Sequence, residues 1–594
     1  MSTTVKPTEA GTAFLTTPVS ESADKIFTFE QRDEEQRWIA ESAATFLRRE
    51  ILPHVEAIDH QEPGLMPGLL KKAGEQGLLS MDVPEEYGGA ELGLLTSSLV
   101  SSELREGSFS TAFGAHTTIG TLPIVFYGTE AQKQYYLPKL ASGEWIAAYA
   151  LTEPGVGSDA MGLSTRAELA EDGKYYILNG TKQWISNAGF ADVMIVFARI
   201  GNERPSAFIV ETTWPGISTG AEERKMGIKG SSTRQVYFEN ARVPVENLLG
   251  EIHKGYKIAF NILNIGRLKL GAGAVGGARG ALDLAAAYTT ERKAFGKFLH
   301  EFGLIKEKLA RIAAAAYAAE SEVFRTAANI EQARRSAGDN TEAAFKAIEE
   351  YAVEASIAKV QGSEVMAFAA DEGVQIFGGY GFMQEYPIEK AYRDARIQRI
   401  YEGTNEINRI VASGTLFRRV MAGKIDLMAR IPSIEARVKS GQAPDFAGEA
   451  IPAELREAVN ALERAKDATI YAAMRIAMKY MQALEQEEEF IEYLANLLID
   501  LYAVDSALAR ATQAVRRGDA NSATHVKLAQ LATWLAFSRM RSNLDQMIMT
   551  NMDEDRVEKE LARVRTYVGD YLVNGVALQR EVAAIVVEKQ GYPL

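Results

Sequence analysis

Residues 149–159 read YALTEPGVGSD. Pro154, Gly155 and Gly157 set a tight turn with exposed backbone N–H groups, bracketed by the hydroxyls of Thr152 and Ser158. Alone this is a loop. A second stretch, residues 179–192, reads NGTKQWISNAGFAD, a hairpin-type Asn-Gly followed by Trp184, Ile185 and Ser186. Together the two loops offer hydrogen-bond donors at one edge and an aromatic wall beside it. A planar tricyclic cofactor needs both.

Working outward, the hydrophobic period is close to two from Trp145 to about Leu249. VMIVFARI, SAFIVETT and RQVYFENARV are short β-branched and aromatic runs separated by Gly, Asn and Pro, and predict strands. On both sides the period is helical, as in EEQRWIAESAATFLRREILPHVEAI upstream and the alanine-rich faces downstream. Pro432, Gly441, Pro444, Gly448 and Pro452 mark residues 424–453 as a linker. A chain of 594 residues is too long for one core. The expected order is a polar arm (1–27), a helical domain (28–147), a β domain (148–252), a second helical domain (253–423), the linker (424–453) and a C-terminal helical domain (454–594). The fold class is mostly α with a central β domain.

Composition removes several function classes. There is no cysteine, which excludes disulfides, thiolate metal sites and cysteine nucleophiles. The six histidines are scattered without ligand spacing, so no metal is expected. The net charge is −14 and basic residues cluster only in pairs such as Arg334-Arg335 and Arg516-Arg517, which argues against nucleic acid. No apolar run reaches the ~20 residues that cross a bilayer. The Thr/Ser-rich N-terminus lacks both a secretory signal and the arginines of an organelle-targeting peptide, so the expected compartment is the one where the chain is made.

Two motifs fail on context. GAGAVG (271–276) matches a dinucleotide-binding pattern but lies in helical sequence with no strand before it. GISTG (216–220) matches a nucleophile elbow but is followed by strand-like rather than helical sequence. A third stretch, RIYEGTNEINR (399–409), places Glu402 between an aromatic and a Gly-Thr-Asn break. By itself Glu402 reads as any solvated surface glutamate.

Five segments change that reading. LTEPGVGSDA, NGTKQWISNAG, ERKAFGKFLHEFGLIKEKLA, QIFGGYGF and IYEGTNEI occur in the order and at the separations of the acyl-CoA dehydrogenase family, which the chain resembles over roughly residues 30–420. The appended helices, ILNIGR (262–267) and EFGLIKEKLARI (301–312) resemble the very-long-chain branch more narrowly. In medium-chain relatives an aspartate commonly stands at the position of Asn264 and a glutamine at that of Gly303.

The resemblance implies an α-helical bundle, a β-barrel-like domain and a second α-helical bundle, plus the C-terminal helical domain, with FAD as cofactor. Tyr149 to Ser158, with Gly157, would line the flavin, Thr152 lying near its reactive edge. Trp184, Ile185 and Ser186 would wall the ring. Arg292 and Phe295, with Gln375, Ile376, Phe377, Gly378 and Gly379, would hold the ADP portion across a subunit boundary, and Gly403, Thr404 and Asn405 would complete the pocket. Ser158, Asn264, Ile265, Gly266 and Arg267 would contact the CoA thioester arm, beside Tyr401 and Gly403. On the residues alone, the plainer reading leads: Gly378-Gly379 is a turn and Arg267 a solvated charge.

The implied reaction introduces a trans-2,3 double bond into an acyl-CoA, the first step of fatty acid β-oxidation. The α-proton is weakly acidic and needs a base, which the family pattern assigns to Glu402. A free glutamate, with a pKa of about 4.3, is feeble in that role. Burial beside Tyr401, flavin and acyl chain should raise it to ~6–7. The backbone N–H of Glu402 and a ribityl hydroxyl would polarise the thioester carbonyl. Electrons would pass singly to an electron-transfer flavoprotein. Ser108, Ser110 and Ala112 are small where a tunnel would run, which together with the branch resemblance favours long-chain acyl-CoA. The appended domain would cover the face used for tetramers in smaller relatives and so implies a homodimer. The linker is shorter and more mixed in charge than the membrane-touching segment of mitochondrial relatives, so a soluble enzyme of a bacterial cytoplasm is expected rather than a membrane-attached one. The alternatives are an acyl-CoA oxidase using oxygen and a non-catalytic assembly scaffold.

Overall fold

The computed structural model describes residues 9–338, 341–551 and 554–594; residues 1–8 of the expected polar arm lie outside them. The first helical region contains α1 (Glu34–Phe46), α2 (Leu65–Glu75), α3 (Gly93–Glu103), α4 (Gly107–Gly114) and α5 (Glu130–Ser142). The start of α1 is fixed by a capping box, in which Asp33 accepts from the Gln36 N–H and the Gln36 side chain accepts from the Asp33 N–H.

Eight strands follow: β1 (Ala147–Ala150), β2 (Arg166–Leu169), β3 (Tyr175–Ser186), β4 (Val193–Arg199), β5 (Pro205–Glu211), β6 (Ile217–Thr219), β7 (Thr233–Pro244) and β8 (Leu248–Leu249). They form one sheet in the order β6-β7-β3-β2-β4-β5-β8, with β1 parallel to β4 off that path. VMIVFAR is a continuous apolar run because β4 is covered on both faces. GISTG enters β6 through Gly216, which has a φ of 87°.

The second helical region contains α6 (Gly255–Glu291), α7 (Gly303–Ala337), α8 (Thr341–Glu350), α9 (Ala352–Phe377) and α10 (Asn405–Met421). GAGAVG lies wholly inside α6 and offers no free helix N-terminus. Its glycines serve packing. A Cβ on Gly271 would stand 2.6 Å from the Ala358 carbonyl oxygen, and one on Gly362 would stand 2.8 Å from that of Gly271. Helices α6 and α9 therefore cross backbone against backbone.

The stretch read as a linker contains α11 (Ile431–Ser440). Pro432 sits in its first turn and Gly441 ends it at φ 70°, so these residues punctuate a helix instead of breaking one. Ile434 and Val438 are buried, and α11 packs on α12 (Arg456–Tyr480). The appended region continues with α13 (Glu488–Arg517), α14 (Ser522–Asn551), α15 (Glu554–Val568) and α16 (Gly575–Lys589). Helices α13, α14 and α16 all pack on α7.

The described part of the polar arm also departs from expectation. Phe14, Leu15, Val19, Ala23 and Ile26 are buried, with the Phe14 ring 4.7 Å from that of Tyr502. A few spaced apolar residues suffice because the arm enters a seam already formed between α7 and α13. No helix among the described residues is long and apolar enough to cross a membrane.

Candidate active site

A cavity of about 1200 Å³ opens where the sheet meets α6 and α10. Its walls include Tyr149, Thr152, Gly157 and Ser158 from the first quoted loop and Trp184, Ile185 and Ser186 from the second. Asn264 and Arg267 enter from α6, and Tyr401, Glu402 and Gly403 from the turn before α10.

The two loops are held together by a buried ion pair, Glu153 to Lys182 at 2.8 Å. Glu153 also accepts from the Ser164 N–H at 2.6 Å and the Thr165 N–H at 3.0 Å, and the Gln183 N–H donates to the Thr152 carbonyl at 2.8 Å. Burial alone would raise the Glu153 carboxyl, but Lys182 and these donors hold it down to about 2. Burial lowers Lys182 to about 8 against the pull of Glu153. Sequence reading missed this pair. The available signal was a lysine inside the otherwise apolar or uncharged end of a strand. At the same place β3 slips register against β7, between Lys182 and Ile185. The slip puts Trp184 at φ 55° with its side chain 60% exposed.

Glu402 and Gly403 both adopt left-handed backbone, at φ 56° and 79°. For a glutamate this is a strained conformation, and it aims the side chain into the cavity. Thr404 then caps α10, its hydroxyl accepting from the Ile407 N–H at 3.2 Å. A Cβ on Gly266 would lie 2.7 Å from Glu402 Oε2, so only glycine leaves the carboxylate its place. Oε2 is buried and has no hydrogen-bond partner. Arg267 is buried, not solvated, and its bonds go elsewhere: Nη1 donates to Asn264 Oδ1 at 2.9 Å and Nε to the Glu402 backbone carbonyl at 3.5 Å. Burial pushes the Glu402 carboxyl from its ordinary 4.5 up to about 7, opposed by the charges of Arg267 and Lys359. Glu402 retains surface only in part, as a residue lining the cavity should. Glu406 is exposed. The Tyr149 hydroxyl is a second buried group without a partner.

A smaller cavity of about 120 Å³ lies on the other side of Glu402. Ser101, Ser110, Gly114, Gly266 and Gly273 line it, and it shares Ser186, Tyr401 and Glu402 with the larger one. Of the three small residues singled out in the sequence, only Ser110 reaches it. Ser108 and Ala112 are one helical turn apart on the opposite face of α4. There the Ser108 hydroxyl accepts from the Gly230 N–H at 3.1 Å and the Ala112 carbonyl accepts from Asn187 Nδ2 at 2.9 Å.

The remaining expected residues are not at the cavity wall of a single chain. Ile265 is 1% exposed and faces the core. Asn405 is buried and takes a hydrogen bond from Lys359 Nζ at 2.7 Å. Arg292, Phe295 and Gln375 to Gly379 gather at the far end of α6 and α9. There the Arg292 guanidinium lies 5.4 Å from the Tyr380 ring, and Tyr288 stacks on Phe377 at 4.0 Å. Phe295, at φ 52°, is 95% exposed.

A sheet domain between helical regions, with a buried unpaired carboxylate between two cavities, can also be compared with known proteins. Residues 33–144, 148–241 and 253–416 match the N-terminal, middle and C-terminal domains of acyl-CoA dehydrogenase, and residues 453–567 match the ACAD9/ACADV C-terminal domain. The chain belongs to the acyl-CoA dehydrogenase family. It is 42% identical over 575 residues to a probable acyl-CoA dehydrogenase of Bacillus subtilis, covering 96% of each. It is 36% identical to the mitochondrial very long-chain specific acyl-CoA dehydrogenase of Bos taurus, over 86% of this chain and 78% of that one. A crystal structure of an acyl-CoA dehydrogenase complexed with FAD from Bacillus anthracis has a TM-score of 0.95 and 42% identity, and covers 99% of this chain and 100% of that chain.

Proposed function

We propose that the protein is an FAD-dependent dehydrogenase that introduces a trans-2,3 double bond into long-chain acyl-CoA thioesters, with Glu402 as the base. One observation carries this reading: Glu402 Oε2 is buried, unpaired and held against Gly266 between a large and a small cavity.

The larger cavity exceeds the 300–1,000 Å³ typical of a single small ligand, which leaves room for cofactor and thioester together. The residues present fit FAD. Tyr149, Thr152, Gly157 and Ser158 offer backbone and hydroxyl partners, Trp184 to Ser186 form a wall, and Gly403 closes the turn beside it. Bound there, FAD supplies the acceptor for the hydride leaving Cβ. The protein's own task is to remove the α-proton. Glu402 Oε2 has a free lone pair for it, and the raised proton affinity brings the base close to neutral pH, where proton transfer is most efficient. Asn264, Ile265, Gly266 and Arg267 fix the segment of α6 against which the thioester arm would lie, with Ser158 and Tyr401 beside it. The Glu402 backbone N–H would serve the thioester oxygen.

Small residues along the second cavity support a long acyl chain. Thr404 and Asn405 support the pocket by starting α10 rather than by lining it. Phe295 and Phe382, 95% and 78% exposed, lie with the expected ADP-binding residues outside one chain's cavity, which supports a homodimer completing the site from a second copy. We assign the electrons to an electron-transfer flavoprotein and the protein to a bacterial cytoplasm, the latter supported by the match to the Bacillus subtilis relative.

The test is anaerobic flavin bleaching by acyl-CoA from C4 to C20, in wild type and Glu402→Gln. The variant should retain FAD and lose about 10³–10⁴-fold in rate, the upper range for a general base. Full activity in FAD-loaded Glu402→Gln would falsify the assignment. A maximum at C4–C6 would remove the long-chain preference, and stoichiometric peroxide in air would point to an oxidase.

A further inference from the structure

Lys359 lies in α9 and is fully buried, where an ammonium group is costly without compensation. Its Nζ donates to an uncharged amide, Asn405 Oδ1, at 2.7 Å. Asn405 is the first residue of α10 and stands three positions after Glu402. Its Nδ2 donates to Ser363 Oγ and to Glu364 Oε1, both at 3.1 Å. Glu364 pairs with Arg409 at 2.9 Å, and Arg409 Nε donates to Asn496 Oδ1 at 2.8 Å on α13. The amide that receives Lys359 is thus held by three residues of α9, and through Glu364 and Arg409 the group is tied to α13.

The position of Lys359 is set by the close crossing of α6 and α9. The neighbouring Ala358 is the residue that Gly271 contacts, and Gly266, one and a half turns earlier on α6, is the residue against which Glu402 rests. The same pair of helices therefore places the carboxylate and the ammonium. The charged groups around Lys359 are Glu402 from the turn, Arg267 from α6, Glu406 from α10 and Glu364 from its own helix. Burial pushes Lys359 down to about 7, and Glu402 is the strongest of the attractions that keep its proton on. In return Lys359 and Arg267 restrain the rise that burial imposes on Glu402. Arg267 spends its hydrogen bonds on Asn264 and the Glu402 carbonyl, and Lys359 spends its own on Asn405.

We propose that Lys359 is a positioning residue for the Glu402 base. Through Asn405 it fixes the turn that carries Glu402, and its buried ammonium attracts the carboxylate through space while Oε2 stays free for the α-proton. A cation bonded to Oε2 would favour the ionised form and block it at once. A cation bonded to the Asn405 amide instead favours the ionised form and leaves the lone pair available. The inference rests on Glu402 being the base.

The experiment compares Lys359→Gln, Lys359→Arg and Glu402→Gln as FAD-loaded proteins. Two quantities are followed against pH: the second-order rate of anaerobic bleaching, and the infrared band of the protonated Glu402 carboxyl in the absence of substrate, identified by its loss in Glu402→Gln. In Lys359→Gln both midpoints should move about one unit to the alkaline side, so bleaching at pH 6 falls about tenfold and recovers by pH 9. Lys359→Arg should return both midpoints close to wild type. Unmoved midpoints in Lys359→Gln, with Glu402→Gln inactive, would overturn the proposal and leave Lys359 a packing residue. A Glu402→Gln protein that still bleaches would overturn the base assignment instead. If Lys359→Gln does not hold FAD, Lys359→Met, which removes the charge and leaves no polar group to bury, takes its place: an alkaline displacement supports the proposal and an unmoved midpoint sinks it.

Discussion

Between α7 and α13, the fully buried Arg325 meets Asp505 and Glu9, each at 2.6 Å, whereas in the candidate active site the buried Oε2 of Glu402 meets no donor. The seam extends this pairing in both directions. Lys466 joins Asp505 at 2.6 Å and Glu463 at 2.8 Å, and Arg510 joins Glu30 at 2.5 Å and Glu320 at 2.8 Å. Burial acts on the carboxylates of both regions, and the neighbours decide the outcome. Burial alone would raise Glu30, but Arg510 holds it down to about 2, while Glu402, with only unbonded cations nearby, rises to about 7. Glu463 also rises to about 7, although Lys466 bonds it directly. Proton affinity therefore does not separate the two regions; the free lone pair of Glu402 Oε2 does.

The largest effect expected from that contrast lies in the seam. Arg325→Met would leave Asp505 and Glu9 buried without their guanidinium, at a cost of about 3–5 kcal/mol. Denaturant unfolding of the FAD-loaded protein reads this directly. Bleaching rate per bound flavin should stay within about twofold, since Arg325 bonds Glu9, Asp505 and Ser506, none of which lines the cavity. A stable variant, or one that is stable but slow, would break the distinction between the two regions.

The seam also shows where sequence reading stops. Arg325 and Glu9 are 316 positions apart, and nothing local in either stretch announces a partner. The same holds for Lys359 and Asn405, 46 positions apart. The loops around Thr152 and Trp184 were legible because turn residues and a change of period are local signals. Glu402 was not legible locally, and the role proposed for it came from the order of five segments. The arm and the linker hold more structure than their composition announced. Pro432 and Gly441 begin and end a helix inside the linker, and a few apolar residues are enough once another surface is there to receive them. Ser108 and Ala112 were small as expected but faced the sheet, because helical period, not size, selects the face.

A pH experiment sharpens the comparison further. The Glu402 carboxyl is raised in the folded state, so its protonated form is favoured there. It costs nothing below its unfolded value of 4.5, and the cost grows until pH passes about 7. Glu402→Gln should therefore be more stable than wild type by about 1–3 kcal/mol at pH 8.5, and the gain should vanish near pH 4.5. Glu30 and Glu153 behave oppositely. Both are depressed to about 2, so their contribution is full above 4.5 and is lost as pH falls through 2. Urea unfolding of both proteins at pH 8.5 and 4.5 gives the sign. Equal stability at pH 8.5 would mean that Glu402 is not held in an unfavourable state at all.

The smallest effect, and the most local, concerns Gly266. A Cβ there would stand 2.7 Å from Glu402 Oε2, the free end of a flexible side chain, which can step aside. At Gly271, five residues further along α6, the obstructing atom is the Ala358 backbone oxygen, which cannot. Gly266→Ala should thus leave stability within about 0.5 kcal/mol of wild type. The displaced carboxylate, however, would no longer stand where the α-proton is delivered. Since misplacement by about 1 Å can cost 10²-fold, a shift of a fraction of that should lower the bleaching rate by about tenfold with FAD retained. Stopped-flow bleaching beside thermal unfolding separates the two quantities. If stability fell while the rate held, Gly266 would belong with Gly271 as a packing glycine, and the space it leaves for Glu402 would have no part in the chemistry.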